Sequence, residues 1–220
     1  ISCSLVGSEM CIRDRTNTML EVATSSNLWV NLFIMVLCAP VAEELIFRKL
    51  LIDRLAQYGE GVAVLFSGLM FGLFHGNLNQ FVYAFVLGLC FGFIYVKTGN
   101  IRYTIGLHML VNFLGSVLGV AILKWLGDDF LSIASDPAGM MSYMTGNFGK
   151  LIVYFIYIFL LLGVAIAGII LFIVNLKKIR FLPGMNTIPK GKRFSTTVLN
   201  VGMALYMIVW IVIIIVQLFQ

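Results

Sequence analysis

Between Gly61 and Val96 the chain carries no Asp, Glu, Lys or Arg. A water-soluble domain of ordinary size cannot hide so long an uncharged stretch, because much of its surface stays in water. The rest of the 220-residue chain is similar: 60% of residues are hydrophobic and 11% are charged. Soluble domains run at about 45–50% apolar and about 25% charged. Lipid is therefore the solvent, which excludes a soluble enzyme, a disordered tail and a nucleic-acid reader. The run 61–96 is also too long for one span, which needs about 20 apolar residues. The turn formers Gly76-Asn77-Leu78-Asn79 divide it.

The same criterion predicts six apolar helices, at 27–55, 61–75, 80–97, 103–125, 151–176 and 194–219. A polar stretch with Asp128, Asp129 and Asp136 separates the fourth from the fifth. The expected fold is all-α, one polytopic transmembrane bundle. The net charge of +5 comes from alternate connections. One holds Arg48, Lys49 and Arg54, the next Lys97 and Arg102, and the third Lys177, Lys178, Arg180, Lys190, Lys192 and Arg193. By the positive-inside rule these three share the cytoplasmic side, so topology explains the charge without a nucleic-acid partner.

Residues 1–15 stand apart. The text SLVG followed by SEMCIRDR resembles translated sequencing-adapter DNA and has no signal-peptide pattern. We expect the membrane domain to occupy 16–220 and to lack one or more upstream helices. Cys3 and Cys11 fall in that segment; Cys38 and Cys90 lie in apolar runs and are expected to be inert packing residues. The spacings Gly68/Gly72, Gly88/Gly92 and Gly115/Gly119 should let helices approach closely within the bundle.

A charge near the bilayer centre costs about 2.5–3.5 kcal/mol on insertion scales. Ionisable groups deep in the spans are therefore the candidates for chemistry. Glu44 and Arg48 are four residues apart on one helix face and can pair. Glu43 lies about 100° round the helix, with no cation three or four residues on, and is free to act as a base towards water. Pro40, just upstream, should kink that helix. His75 and His108 are the chain's two histidines. Phe71 sits one turn from His75, and His108 with Asn112 presents an imidazole and a carboxamide on one face. Taken singly, each has a plain structural reading: an interfacial ion pair, a packed histidine, an asparagine bonding between helices. Their convergence on three short patterns favours a site. Depth stands against it. At 1.5 Å per residue Glu43 lies about 16 Å from Arg54, and His75 about 22 Å from Gly61. His108 lies only about 9 Å from Arg102. A helix extending beyond the membrane, or a tilt, would reconcile them.

The segment Glu43-Glu44-Leu45-Ile46-Phe47-Arg48 resembles the EExxxR motif of the CAAX-protease and bacteriocin-processing (CPBP, or Abi) family of intramembrane proteases. Phe71-Gly72-Leu73-Phe74-His75 is similar to its FxxxH motif, and His108-Met109-Leu110-Val111-Asn112 to its HxxxN motif. The resemblance covers roughly 32–115. It implies an active site between helices within the membrane. Glu43 with His75 would activate water, His108 and Asn112 would hold the oxyanion, and Arg48 would hold Glu44 beside a packing Phe71. The family is often named as metalloproteases, yet no cofactor is expected here, because no HExxH pattern presets zinc ligands and Asn112, four residues after His108, is a poor one; the alternative is a zinc ion on Glu43, His75 and His108. The implied partners are membrane lipid and a lipid-anchored, prenylated or membrane-inserted peptide, with bacteriocin maturation or self-immunity as a role in bacterial plasma membranes. Oligomeric state stays open. A second class is a non-catalytic immunity scaffold, or a proton or cation relay, which would set its groups at successive depths rather than around one point. The cavity is expected to open towards the basic connections, because His108 lies near one of them.

Overall fold

The structure is a computed structural model that describes residues 23–127, 130–186, 188–192, 195–196 and 199–218. The adapter-like segment lies outside the described residues. The fold is an all-α membrane bundle: α1 Leu28–Tyr58, α2 Glu60–Phe74, α3 Leu78–Thr98, α4 Ile101–Leu126, α5 Pro137–Asn175 and α6 Val201–Leu218. Among the described residues α1, α3, α4 and α5 are long and apolar enough to cross a membrane, and α2 and α6 are shorter apolar helices. The tight turns use a Gly-Asn pair. Gly76 and Gly99 take positive φ, of 68° and 64°, and the following Asn77 and Asn100 cap the next helix through their side-chain oxygens.

The stretch 127–150, read as a polar connection, is largely helical. Asp136 caps the Ala138 and Gly139 N–H groups and Pro137 takes the first helical position, so α5 starts well before its apolar core. A break at Asn147 (φ −127°, ψ 25°) divides the polar part from the apolar part.

Three connections meet at one end of the bundle. Gly59 bridges Pro183, the Glu60 carboxylate accepts from Lys97 and from the Leu182 N–H, and Asn186 bonds Gln57. The basic connections thus share a side, as alternation requires. Arg48 does not belong to their count; it is buried inside α1. At the opposite end Lys124 donates to the Ser26 carbonyl. Gly68 and Gly72 lie against Leu89 and Phe85 of α3, and Gly88 against Gly68, so two of the three glycine pairs seat α2 on α3. Gly119 meets Tyr157, while a side chain at Gly115 would touch nothing. Cys38 and Cys90 are exposed on the bundle surface rather than packed inside, where a small apolar side chain suits lipid.

The depth conflict narrows because the helices do not start flush. Ile52, Ala63, Tyr95 and Ile101 pack in one layer, so α4 begins level with Ile52 rather than with the end of α1. From that layer, nine residues inward on α1 reach Glu43, twelve on α2 reach His75 and seven on α4 reach His108, about 14, 18 and 11 Å. Wide, π-type turns occupy Asn31–Cys38 and Leu45–Ile52 in α1 and Phe113–Gly119 in α4. Such turns leave backbone carbonyls unpaired, and lipid supplies no water to satisfy them. Side chains of other helices do so. Asn112 takes Met35 O, Ser67 takes Phe47 O, Tyr157 takes Leu114 O and Asn31 takes Ser116 O.

Candidate active site

Glu44 and Arg48 are both fully buried, with Arg48 Nε 3.0 Å from Glu44 Oε2. The N–H is not aimed at that oxygen, so the contact is an ion pair rather than a formed hydrogen bond. Arg48 Nη1 donates to Ser67 Oγ at 2.8 Å, and Ser67 in turn donates to Phe47 O. The guanidinium carbon lies 4.8 Å from the Phe71 ring centre and 5.8 Å from that of Phe91. These two faces supply the remaining polarisation that a buried cation needs.

The other Glu44 oxygen, Oε1, lies 3.1 Å from His108 Nδ1. An ionised carboxylate only accepts, so Nδ1 carries the hydrogen and Nε2 is the ring nitrogen left for chemistry. His108 Nε2 lies 3.7 Å from Glu43 Oε2, beyond hydrogen-bond reach, and that buried oxygen has no hydrogen-bond partner. The His108 ring is boxed by Phe71 and Phe91, at 5.6 and 5.4 Å between ring centres.

His75 ends α2. Its Nδ1 is 2.9 Å from Phe71 O, and its ring packs edge-on against Phe71 at 4.9 Å. Asn112 Nδ2 donates one hydrogen to Met35 O at 2.8 Å. A cavity of about 490 Å³ touches Glu43, His75, His108 and Asn112 together. Gln80 and Tyr83 of α3 add polar groups to its wall. The four residues singled out as catalytic from the sequence thus share one cavity. The three singled out as supporting (Glu44, Arg48 and Phe71) are packed behind it.

Two points differ from expectation. Glu43 has its carboxylate beside His108 rather than His75. The cavity wall also runs from Glu43 back to Ala23, and from His108 on to Val120, away from the basic connections. The side towards those connections is filled by Arg48, Phe47 and Phe71. Ser67 and Phe91 were not singled out from the sequence. Ser67 lies one turn before Phe71, so the spacing that marks Phe71 could have found it; Phe91 is one phenylalanine among 18.

A zinc ion on Glu43, His75 and His108 does not fit this arrangement. Among the described residues no three His, Cys, Asp or Glu side chains are grouped to hold a metal.

Comparison with known proteins places the same region. A family model described as "Type II CAAX prenyl endopeptidase Rce1-like" matches residues 25–114, which include Glu43, Glu44, Arg48, Phe71, His75, His108 and Asn112. A Bacillus subtilis (strain 168) protein named "Putative membrane peptidase YdiL" is 28% identical over 100 residues, covering 45% of this chain and 40% of that protein. The chain therefore spans well under two thirds of that relative. No solved structure matches.

Proposed function

We propose, from the family match over residues 25–114, that the chain is a CPBP (CAAX protease)-type intramembrane endopeptidase acting on a lipid-anchored or membrane-inserted peptide. The observation that carries the reading is the unpartnered Glu43 Oε2 beside His108 Nε2, on a cavity shared with His75 and Asn112. A water molecule about 2.8 Å from both atoms would satisfy them. Glu43 takes a proton from that water as its oxygen bonds to the scissile carbonyl carbon. The oxyanion so formed accepts from the second Nδ2 hydrogen of Asn112, and from His108 Nε2 where that ring carries a second hydrogen between Glu44 and Glu43. The C–N bond then breaks, and Glu43 passes its proton to the leaving nitrogen. His75, held by Phe71 O, borders the water from the α2 side. Glu44, Arg48, Ser67 and Phe91 fix His108 in place and leave the reaction itself to the cavity residues.

Gathering around one cavity favours a hydrolase over a relay, whose groups would step through the membrane. We place the protease domain at 16–220 with its core at 32–115, in a bacterial plasma membrane with the basic connections cytoplasmic. A prenylated CAAX-like protein or a bacteriocin precursor suits the wide, largely apolar cavity. No step is routed through a metal.

The test is cleavage of quenched peptides, prenylated and plain, by protein purified in detergent. Glu43→Gln should lower kcat by about 10²–10⁴-fold, the usual weight of a general base, while a chelator leaves activity intact. Chelator-sensitive activity restored by zinc would replace the water-and-glutamate mechanism. Well-folded protein that cleaves nothing would favour the relay or immunity scaffold.

A further inference from the structure

Ala39 N–H reaches back five residues to Ile34 O, closing a wide turn of α1. The next residue in that series is Pro40, which has no N–H to offer Met35 O. Met35 O is the carbonyl that Asn112 Nδ2 occupies at 2.8 Å. The proline and the asparagine come from different helices, 72 positions apart (112 − 40). Both Met35 and Asn112 border the cavity, and Glu43 follows Pro40 by less than one turn.

We propose that Pro40 is a positioning residue. By withholding its N–H it leaves Met35 O free to clamp the Asn112 carboxamide, and the clamp aims the second Nδ2 hydrogen at the reacting carbonyl. The inference rests on the peptidase reading for its catalytic half; the clamp itself does not. A carboxamide on a flexible side chain would otherwise swing between partners. Held at one hydrogen by the half-buried Met35 carbonyl, it presents the other at a fixed angle, which is what an oxyanion donor requires. The same bond ties α4 to α1 at the level of the Glu43 turn. It satisfies a carbonyl that lipid would leave bare.

An alanine at position 40 returns a backbone donor to this turn. It lets the helix close more regularly and draws Met35 O back from Asn112.

The experiment is a double-mutant cycle on Pro40→Ala and Asn112→Ala, read as Tm in detergent and as kcat and KM on a cleaved peptide. The melting arm needs no substrate. Asn112→Ala alone leaves Met35 O without a donor and should lower Tm by about 3–6 °C. In the Pro40→Ala background the same change should cost less than half of that. Strict additivity of the Tm shifts would overturn the clamp, whatever the enzyme does. In the kinetic arm Asn112→Ala should lose about 100-fold in kcat. Pro40→Ala should lose at least about tenfold in kcat with KM within twofold and Tm unchanged or higher. A proline that matters only for folding would lose kcat and Tm together, and that outcome also overturns the proposal. Full kcat in Pro40→Ala, with Asn112→Ala inactive, rejects the positioning role and leaves the peptidase reading standing. Full kcat in Asn112→Ala rejects the oxyanion assignment of Asn112 and the catalytic half of this proposal with it.

Discussion

α2 and α5 are both apolar helices, and they lead opposite lives. α2 has 15 residues and buries eight of them, including Ser67 and Phe71. α5 has 39 residues and buries only Leu151. None of the most apolar 18-residue stretch of α5 is covered by protein, against 28% of the corresponding stretch in α1. In water the ranking would reverse, since the greasiest helix would be the most deeply buried. In lipid, apolar surface has no reason to leave the solvent, and helices associate through close packing and polar contacts. The inside of this bundle is therefore marked by what lipid rejects: Glu44, Arg48, Ser67, Asn31, Thr104 and His108 are all buried.

The largest test of that contrast is Arg48→Ala, which strands Glu44 without its cation and should cost about 3–5 kcal/mol. Thermal unfolding in detergent, or loss of folded protein on expression, reads it. Ser67→Ala follows at about 1–3 kcal/mol, because both Arg48 Nη1 and Phe47 O lose a buried partner. Tyr157→Phe removes a bond from α5 to Leu114 O of α4 and should cost about 1 kcal/mol or less. Ile169→Ala, on the exposed face of α5, should move stability by no more than about 0.5 kcal/mol. If Ile169→Ala proved as costly as Ser67→Ala, α5 would have to be packed against protein in the membrane, and the contrast would fail.

Much of the machinery could be read from the chain alone because charge is so improbable in these helices. Glu43, Glu44, Arg48, His75, His108 and Asn112 stand out against a background of Leu, Ile, Val and Phe. Their i, i+4 spacing already pairs Glu44 with Arg48, and the structure keeps that pair. Three helix starts lie within about three residues of the apolar boundaries for a similar reason: Asn27, Asn77 and Asn100 cap where the apolar runs begin. What stayed hidden has no local signal. A wide turn needs no special residue, so nothing announced Phe113–Gly119, and in α1 only Pro40 hinted at one. The relative height of helices depends on packing, so the level of Ile101 beside Ile52 could not be counted from either end. Phe91 acquires its role only once Arg48 and His108 arrive on either side of it. The long start of α5 was legible in Asp136-Pro137, but its polar composition pointed to a loop.

The carbonyls of the wide turns have a mechanical consequence. Met35 O, Phe47 O, Leu114 O and Ser116 O each engage a side chain from another helix. Such bonds work like pegs in a row of holes: a slide of one residue along any axis would pull a peg from its hole and leave a bare dipole in oil. Screw-like or piston-like travel of α1 past α2 or α4 is thereby blocked, and those three helices move as one block. On the proposed peptidase reading, a bulky substrate would gain entry by displacement of something other than the α1–α2–α4 block. α5 is held to α4 by two tyrosine hydroxyls, Tyr157 on Leu114 O and Tyr143 on Leu126 O, and by the packing around Gly119 and Leu151, so its swing would break few polar bonds.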